Sequence, residues 1–422
     1  MMIDQPNSRR LLRALFPLVM GAALLGSGVR LTPWTPRGAI AQTPLTATSE
    51  GRLSEAQAEL GFAVFQQLRE RQGGENVLLS PLSLSMALAL LQGGAGGETQ
   101  REIDQMLGVS GGAAGELDRL YEDLLQSWEG LSGEVELAIA NSIWSRQGSP
   151  LAAEFIRSRQ QFYEAEIRPV DFAEPPQVLA AIHEWISQET QGRISELLST
   201  RDLDDRTVAV LLNALYFSGQ WTSPFPPENT ELGQFNRLDL SPVYVPMMEQ
   251  RLSVVRGYEN DLFQGIELPY GRDERLGMYV FLPREEVSFA EFLAQFTAEN
   301  WQMWLSRFEW KEAGAIVRLP RFQVTAEVNV RESLEALGRA GLFQSGADFS
   351  GLSDDPFWVT VMRQQLYLEV TEAGTEAAAV TGIGGTRSAP ISWVGDRPFV
   401  FVVRDNETGQ LLFLGAIVDP SL

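Results

Sequence analysis

No cysteine occurs in the 422 residues. Disulfides, thiolate metal sites, a cysteine nucleophile and a lipid-anchored cysteine are therefore excluded. Histidine is almost as scarce, with His183 standing alone. A Ser-His-Asp hydrolase needs a histidine held against its nucleophile. His183 lies in "IHEWISQ", where Ile182, Trp185 and Ile186 mark the buried side of a helix, so a structural role is expected. That segment also lacks the second histidine, four positions on, of a zinc-protease helix. Basic charge is short as well: 33 Lys and Arg stand against 55 Asp and Glu, a formal net charge of -22. Such a chain repels polyphosphate, and no basic stripe in the body offsets this, so nucleic acid is not an expected partner. Phosphate cradles are missing too. "GGAGGETQ" (93–100) has no Gly-Lys-Ser/Thr ending, and no helix follows "GIGGTR" (382–387). No metal and no cofactor are expected.

What is present begins with a segment of different composition. Arg9, Arg10 and Arg13 precede an apolar run from Ala14 to Leu25, and "AIA" at 39–41 has the small-x-small form of a cleavage site. Residues 1–41 are expected to be an export signal, by the general or the twin-arginine route, because the run is shorter than the ~20 residues of a spanning helix. Residues 42–52 read as a short flexible segment and 53–422 as one domain, since no linker or repeat divides them.

Helical periodicity runs over 55–71, and "SPLSLSMALALLQ" offers Ser80 as N-cap and Pro81 at the first helical position. Further helices are expected over 113–128, 152–163, 176–188, 289–308 and 328–340. Strand-like runs are "VELAIANSIWS", "TVAVLLNALYFSG", "LGMYVFLP", "AIVRLPRFQV", "QLYLEV", "RPFVFVVRD" and "QLLFLGAIV". Helices dominate the first half and strands the second, without the alternation of a doubly wound fold, which points to α+β.

One stretch fits neither core nor linker: "TEAGTEAAAVTGIGGTRSAP", 371–390. As a strand it puts Thr375, Ala377, Ala379 and Thr381 on one face and Glu376, Ala378 and Val380 on the other. The first face is small and uncharged throughout, so such a strand can enter a sheet with that face toward a packed core. Ladder bonds on both sides contribute about 1 kcal/mol each, against an ordering cost of roughly 1–2 kcal/mol per residue. The side chains decide the balance, and a buried unpaired charge would forbid entry. An alanine-rich helix is the competing reading.

"EAGTEAAAVT" closely resembles the reactive-centre hinge of inhibitory serpins. "NVLLSPLSLSMALALLQGGAGGET", "NALYFSGQW", "LPRFQV", "ADFSGL" and "RPFVFVVRD" resemble other signatures of that family, in family order, over about 53–420. The resemblance implies a serpin of the inhibitory, bacterial-like and exported kind, with three β-sheets, eight to nine helices and an exposed loop offered to a protease as bait. In that family the cleaved loop enters the central sheet and carries the acyl-enzyme with it. By resemblance, Glu372 and Gly374, Thr375, Glu376, Ala377, Ala378, Ala379, Val380 and Thr381 form the hinge. Ser80, Ser83, Asn213, Trp221 and Gln364 mark where the sheet opens. Gln364 stands where the family often has histidine, and an amide does not titrate near neutrality.

Spacing from the hinge places the reactive bond at Ser388-Ala389, whereas spacing back from "RPFVF" places it at Arg387-Ser388. Arg387 is preferred because a guanidinium fills a trypsin-like pocket as a bidentate partner of its buried acid. The expected function is suicide inhibition of a trypsin-like serine protease in a covalent complex by a chain that is itself no enzyme. The alternatives are a non-inhibitory serpin (carrier, chaperone or storage protein) and an inhibitor of an arginine-specific cysteine protease. A monomer is expected, extracellular or periplasmic, without membrane attachment once the signal is removed. Heparin is not expected to bind, because "GELDRLYEDLLQSWEG" carries acids where a heparin-binding member has bases.

Overall fold

The computed structural model describes residues 49–109, 114–131, 133–373 and 390–421, all within one compact unit, Pro44–Leu422. The expected signal (1–41), the hinge from Gly374 to Thr381 and both candidate reactive bonds lie outside the described residues. The helices are α1 (Ser49–Gln72), α2 (Pro81–Gln92), α3 (Gly97–Met106), α4 (Ala114–Glu129), α5 (Ala153–Tyr163), α6 (Pro175–Glu189), α7 (Phe289–Gln295), α8 (Ala298–Leu305) and α9 (Val330–Ala336). The architecture is α+β with three sheets.

The sixteen strands among the described residues are numbered in chain order. A five-stranded sheet runs β12 (Phe322–Asn329), β13 (Val361–Val370), β4 (Ala209–Gly219), β2 (Val135–Arg146) and β3 (Glu166–Val170). A seven-stranded sheet runs β1 (Val77–Leu79), β16 (Leu411–Ile417), β15 (Phe399–Asp405), β9 (Leu276–Pro283), β8 (Phe263–Tyr270), β7 (Val255–Glu259) and β10 (Glu309–Lys311). The four-stranded sheet is β14 (Ile391–Val394), β11 (Ala315–Pro320), β6 (Pro242–Leu252) and β5 (Glu231–Asn236).

At the centre of the five-stranded sheet, β4 and β13 are parallel and directly paired over eight positions, from Val210↔Val361 to Phe217↔Leu368. Strands covered on both faces read as nearly continuous apolar runs, which is the pattern of "AVLLNALYF". On the back face Leu211, Leu215, Leu366 and Leu368 join the main core, which also holds α2 and the seven-stranded sheet. On the front face Val210, Leu212, Ala214, Tyr216 and Tyr367 pack with Val178, Ile182, Trp185 and Ile186 of α6 and with Ile194, Leu197 and Leu198 beyond it, forming a second core. His183 belongs to that layer, its Nε2 3.1 Å from the Leu198 carbonyl.

Several elements differ from the sequence reading. α1 begins at Ser49, so residues 49–52, expected in a flexible segment, are helical. The single helix expected over 289–308 is two, because Thr297 accepts a hydrogen bond from Asn300 N and caps a new helix. "AIVRLPRFQV" is two strands in different sheets, β11 and β12, parted at Arg321. α3 was not expected, its ten residues being mostly polar, and α9 stops at Ala336. The glycines of "GGAGGETQ" serve close packing: a Cβ on Gly94 would fall 2.6 Å from Leu352 Cβ.

α2, α4 and α5 are tied by one buried ion pair. Arg159 on α5, 2% exposed, pairs with Asp118 on α4 and donates through Nη1 to the Ala89 carbonyl of α2 at 3.0 Å. Tyr163 donates its hydroxyl to the same carboxylate at 2.8 Å. Removing one member of such a pair leaves a buried charge without its counter-ion. Asp118→Ala is expected to destabilise the fold by about 3–5 kcal/mol, read as a fall in Tm in a thermal melt. A change of under ~1 kcal/mol, the worth of an exposed pair, would contradict it.

Candidate functional site

The seam between β4 and β13 carries polar groups inside an apolar core. Asn141 on β2, Asn213 on β4 and Gln364 on β13 stand in register across three adjacent strands. All three are buried, with 3%, 2% and 1% exposure. Asn213 Nδ2 donates to Asn141 Oδ1 at 2.8 Å. Gln364 instead turns to the start of α2, where its Oε1 accepts from Ser80 N and its Nε2 donates to the Ser80 carbonyl, both at 3.0 Å. The Ser80 hydroxyl accepts from Ser83 N at 3.1 Å and caps α2 as the sequence predicts. The amide row is thus divided at the seam: Asn213 belongs to β2, and Gln364 belongs to α2.

Seam polar atoms are also incompletely partnered. Ser83 Oγ and Asn213 Oδ1 on the back face, and Gln365 Oε1 and Arg363 Nε on the front, are buried without a protein hydrogen-bond partner. An unpaired buried polar atom costs about 1–3 kcal/mol.

Trp221 lies apart from the amides, at the end of β4 where β13 finishes. Its indole stacks on Tyr270 with ring centroids 4.3 Å apart, and its Nε1 donates to the Thr371 carbonyl at 2.9 Å. Gly219 permits this approach, since a Cβ there would lie 2.7 Å from the Tyr270 ring. A small cleft beside it is lined by Glu134, Glu136, Gln220, Thr371 and Ala373. Glu372 is held one residue past the indole contact. Its Oε1 accepts from Thr230 Oγ1 at 2.8 Å, and Arg321 pairs with the same oxygen. Burial pushes the Glu372 carboxyl up, but the hydrogen bonds from Arg321 and Thr230 outweigh burial and hold it below the ordinary glutamate range.

Of the residues singled out from sequence, Ser80, Ser83, Asn213 and Gln364 come together beneath the seam, and Trp221 and Glu372 meet at its end. Reasoning from sequence missed Asn141, Thr230, Arg321 and Tyr270. The asparagine inside "VELAIANSIW" was a readable signal, an amide interrupting an apolar strand. Arg321 and Thr230 gave none, because their partner is 51 and 142 positions away.

Three sheets, a parallel central seam and nine helices among the described residues define the class of fold. The chain belongs to the serpin (serine protease inhibitor) family, whose model matches residues 55–420. It is 32% identical to human neuroserpin over 87% of this chain and 91% of that one. It is 33% identical to bovine plasminogen activator inhibitor 1, over 86% and 91%. Among solved structures, native protease nexin-1 with heparin is matched at a TM-score of 0.78 and 30% identity, over 90% of this chain and 100% of that one. Human thyroxine-binding globulin with its hormone is matched at 0.79 and 26%, over 88% and 100%. The fold therefore also serves a thyroxine-binding protein.

The depressed Glu372 carboxyl has a signed consequence. Its contribution is present above the unfolded value of about 4.3 and is lost as pH falls through the lower folded value. Wild type is expected to lose stability relative to Glu372→Gln as pH drops from about 5 to 3, measured by parallel thermal melts. Curves that keep a constant separation over that range would contradict the assignment.

Proposed function

We propose that the chain is a suicide-substrate inhibitor of trypsin-like serine proteases, exported from the cell, with Arg387-Ser388 as its reactive bond. The observation that carries this reading is the parallel pairing of β4 and β13. A strand formed between β4 and β13 by the segment that follows β13 would run back alongside β13 and so be antiparallel to both. It then makes two ladders in place of one. The eight residues from Gly374 to Thr381 match the eight paired positions in number, and none carries a charge on the small face. The names of the relatives, which include plasminogen activator inhibitor 1 and protease nexin-1, support a protease as partner.

The chemistry belongs to the protease. Its serine attacks the Arg387 carbonyl, an ester forms, and the bond to Ser388 breaks with the proton passing to the new amine of Ser388. Strand entry then drags the acyl-enzyme before water releases it. The second ladder favours the exchange, because the incoming strand pairs its backbone groups on both sides. Export rests on the composition of residues 1–41. No helix among the described residues is long and apolar enough to cross a membrane.

Limiting trypsin added to the intact chain is expected to give a denaturant-resistant band at the summed mass and a released peptide beginning at Ser388. Arg387→Ala is expected to slow complex formation by about 100-fold or more, since a missing hydrogen-bonded charge leaves the pocket acid unpaired. Clean cleavage without the band would favour the carrier reading that thyroxine-binding globulin illustrates. Heparin provides a separate check. Glu116, Glu122, Asp123 and Glu129, on the solvent side of α4, oppose a polyanion. Although a structural relative was solved with heparin, the trapping rate here is expected to change by less than about twofold. A large acceleration would overturn that expectation.

A further inference from the structure

The front face of the five-stranded sheet is covered by α6 and the residues 190–208 that lead from it into β4. This layer is fastened on both sides of the seam. On the β2 side, Arg146 donates through Nε and Nη2 to the Thr207 carbonyl at 2.9 and 2.6 Å, and through Nη2 to the Asp205 carbonyl at 2.8 Å. On the β13 side, Arg363 Nη2 pairs with Asp202 Oδ1 at 2.8 Å. Asp202 is set for that contact by its other oxygen, which accepts from Ser199 N and Oγ at 2.8 and 2.7 Å. Arg363 also has Glu327 of β12 at 3.4 Å, while Tyr216 and Tyr367 face each other across the seam with ring centroids 5.6 Å apart.

Entry of a strand separates β4 from β13 by one further strand spacing, about 4.8 Å. A 2.8 Å ion pair does not span that added width while the covering segment stays with β2. Both side chains are 19% exposed, so water and salt screen the pair only in part. We propose that Arg363 and Asp202 form a clasp that holds the front layer across the seam and sets how fast the sheet opens. The clasp thereby biases the acyl-enzyme between trapping and hydrolysis. Arg363 and Asp202 are positioning residues in this scheme, acting on the strands and not on the protease.

The inference rests on the insertion reading above, and the test separates the two. The probe is a synthetic peptide copying residues 374–387, annealed to the intact protein and followed by native gel and thermal melt. Arg363→Gln and Asp202→Asn are each expected to speed annealing by about three- to tenfold, and the double variant by no more than either single one, as for two halves of one interaction. Arg363→Lys, which keeps the charge, is expected to stay within about twofold of wild type. Added salt is expected to speed wild type but not the two neutral variants. Annealing to wild type with unchanged rates in both neutral variants, or strictly additive effects, overturns the clasp and leaves insertion standing. No annealing to wild type overturns insertion and the clasp together.

Discussion

Everything distinctive in this molecule depends on one pair of neighbouring strands. β4 and β13 are parallel and buried on both faces, and their ladder is the joint between two halves of the central sheet. Parallel neighbours leave room between them for one strand that is antiparallel to both, which two antiparallel neighbours do not. The small-residue segment starts at Gly374, with three residues between it and the end of β13. In the proposed function the geometry of the joint sets the direction of an incoming strand.

Side chains around the joint tie each of its two strands to different neighbours. On the back face the amide row is split, Asn213 bonded to Asn141 and Gln364 to the start of α2. At the end of the joint, Trp221 and the Glu372-Arg321-Thr230 contacts fix the turn out of β13. On the front face a second core spans both strands. The joint is thus held at three separable places, two built from a few polar contacts and the third from an apolar layer fastened by polar contacts at its margins. Polar contacts suit this role because their strength depends on direction: a shift of a few ångströms breaks them, whereas apolar contact area declines gradually.

Much of the fold was legible in sequence where local physics decides it. Ser80 and Pro81 announced the start of α2, and the apolar run of β4 announced a strand covered on both sides. The small uncharged face of 374–381 was equally plain in sequence, but those residues lie outside the described ones. Boundaries failed where a local signal competed with a longer pattern. Thr297 ended one helix and began another inside an unbroken apolar periodicity, and Arg321 turned one strand-like run into two sheets. The polar α3 was overlooked because its stability comes from packing beside α2 and not from its own pattern.

The sequence by itself determined the class of chemistry open to the chain and the composition of the segment that follows β13. With one histidine in a helical pattern and no cysteine, it offers neither a Ser-His-Asp triad nor a thiolate, and 374–381 carries no charge on one strand face. Only the tertiary structure decided which groups surround the joint from which that segment departs. The Gln364 bond to Ser80 joins residues 284 positions apart, and Arg363 reaches Asp202 across 161. Contacts of that range arise from strand order and from the packing of α6 over the sheet, and no local propensity encodes them.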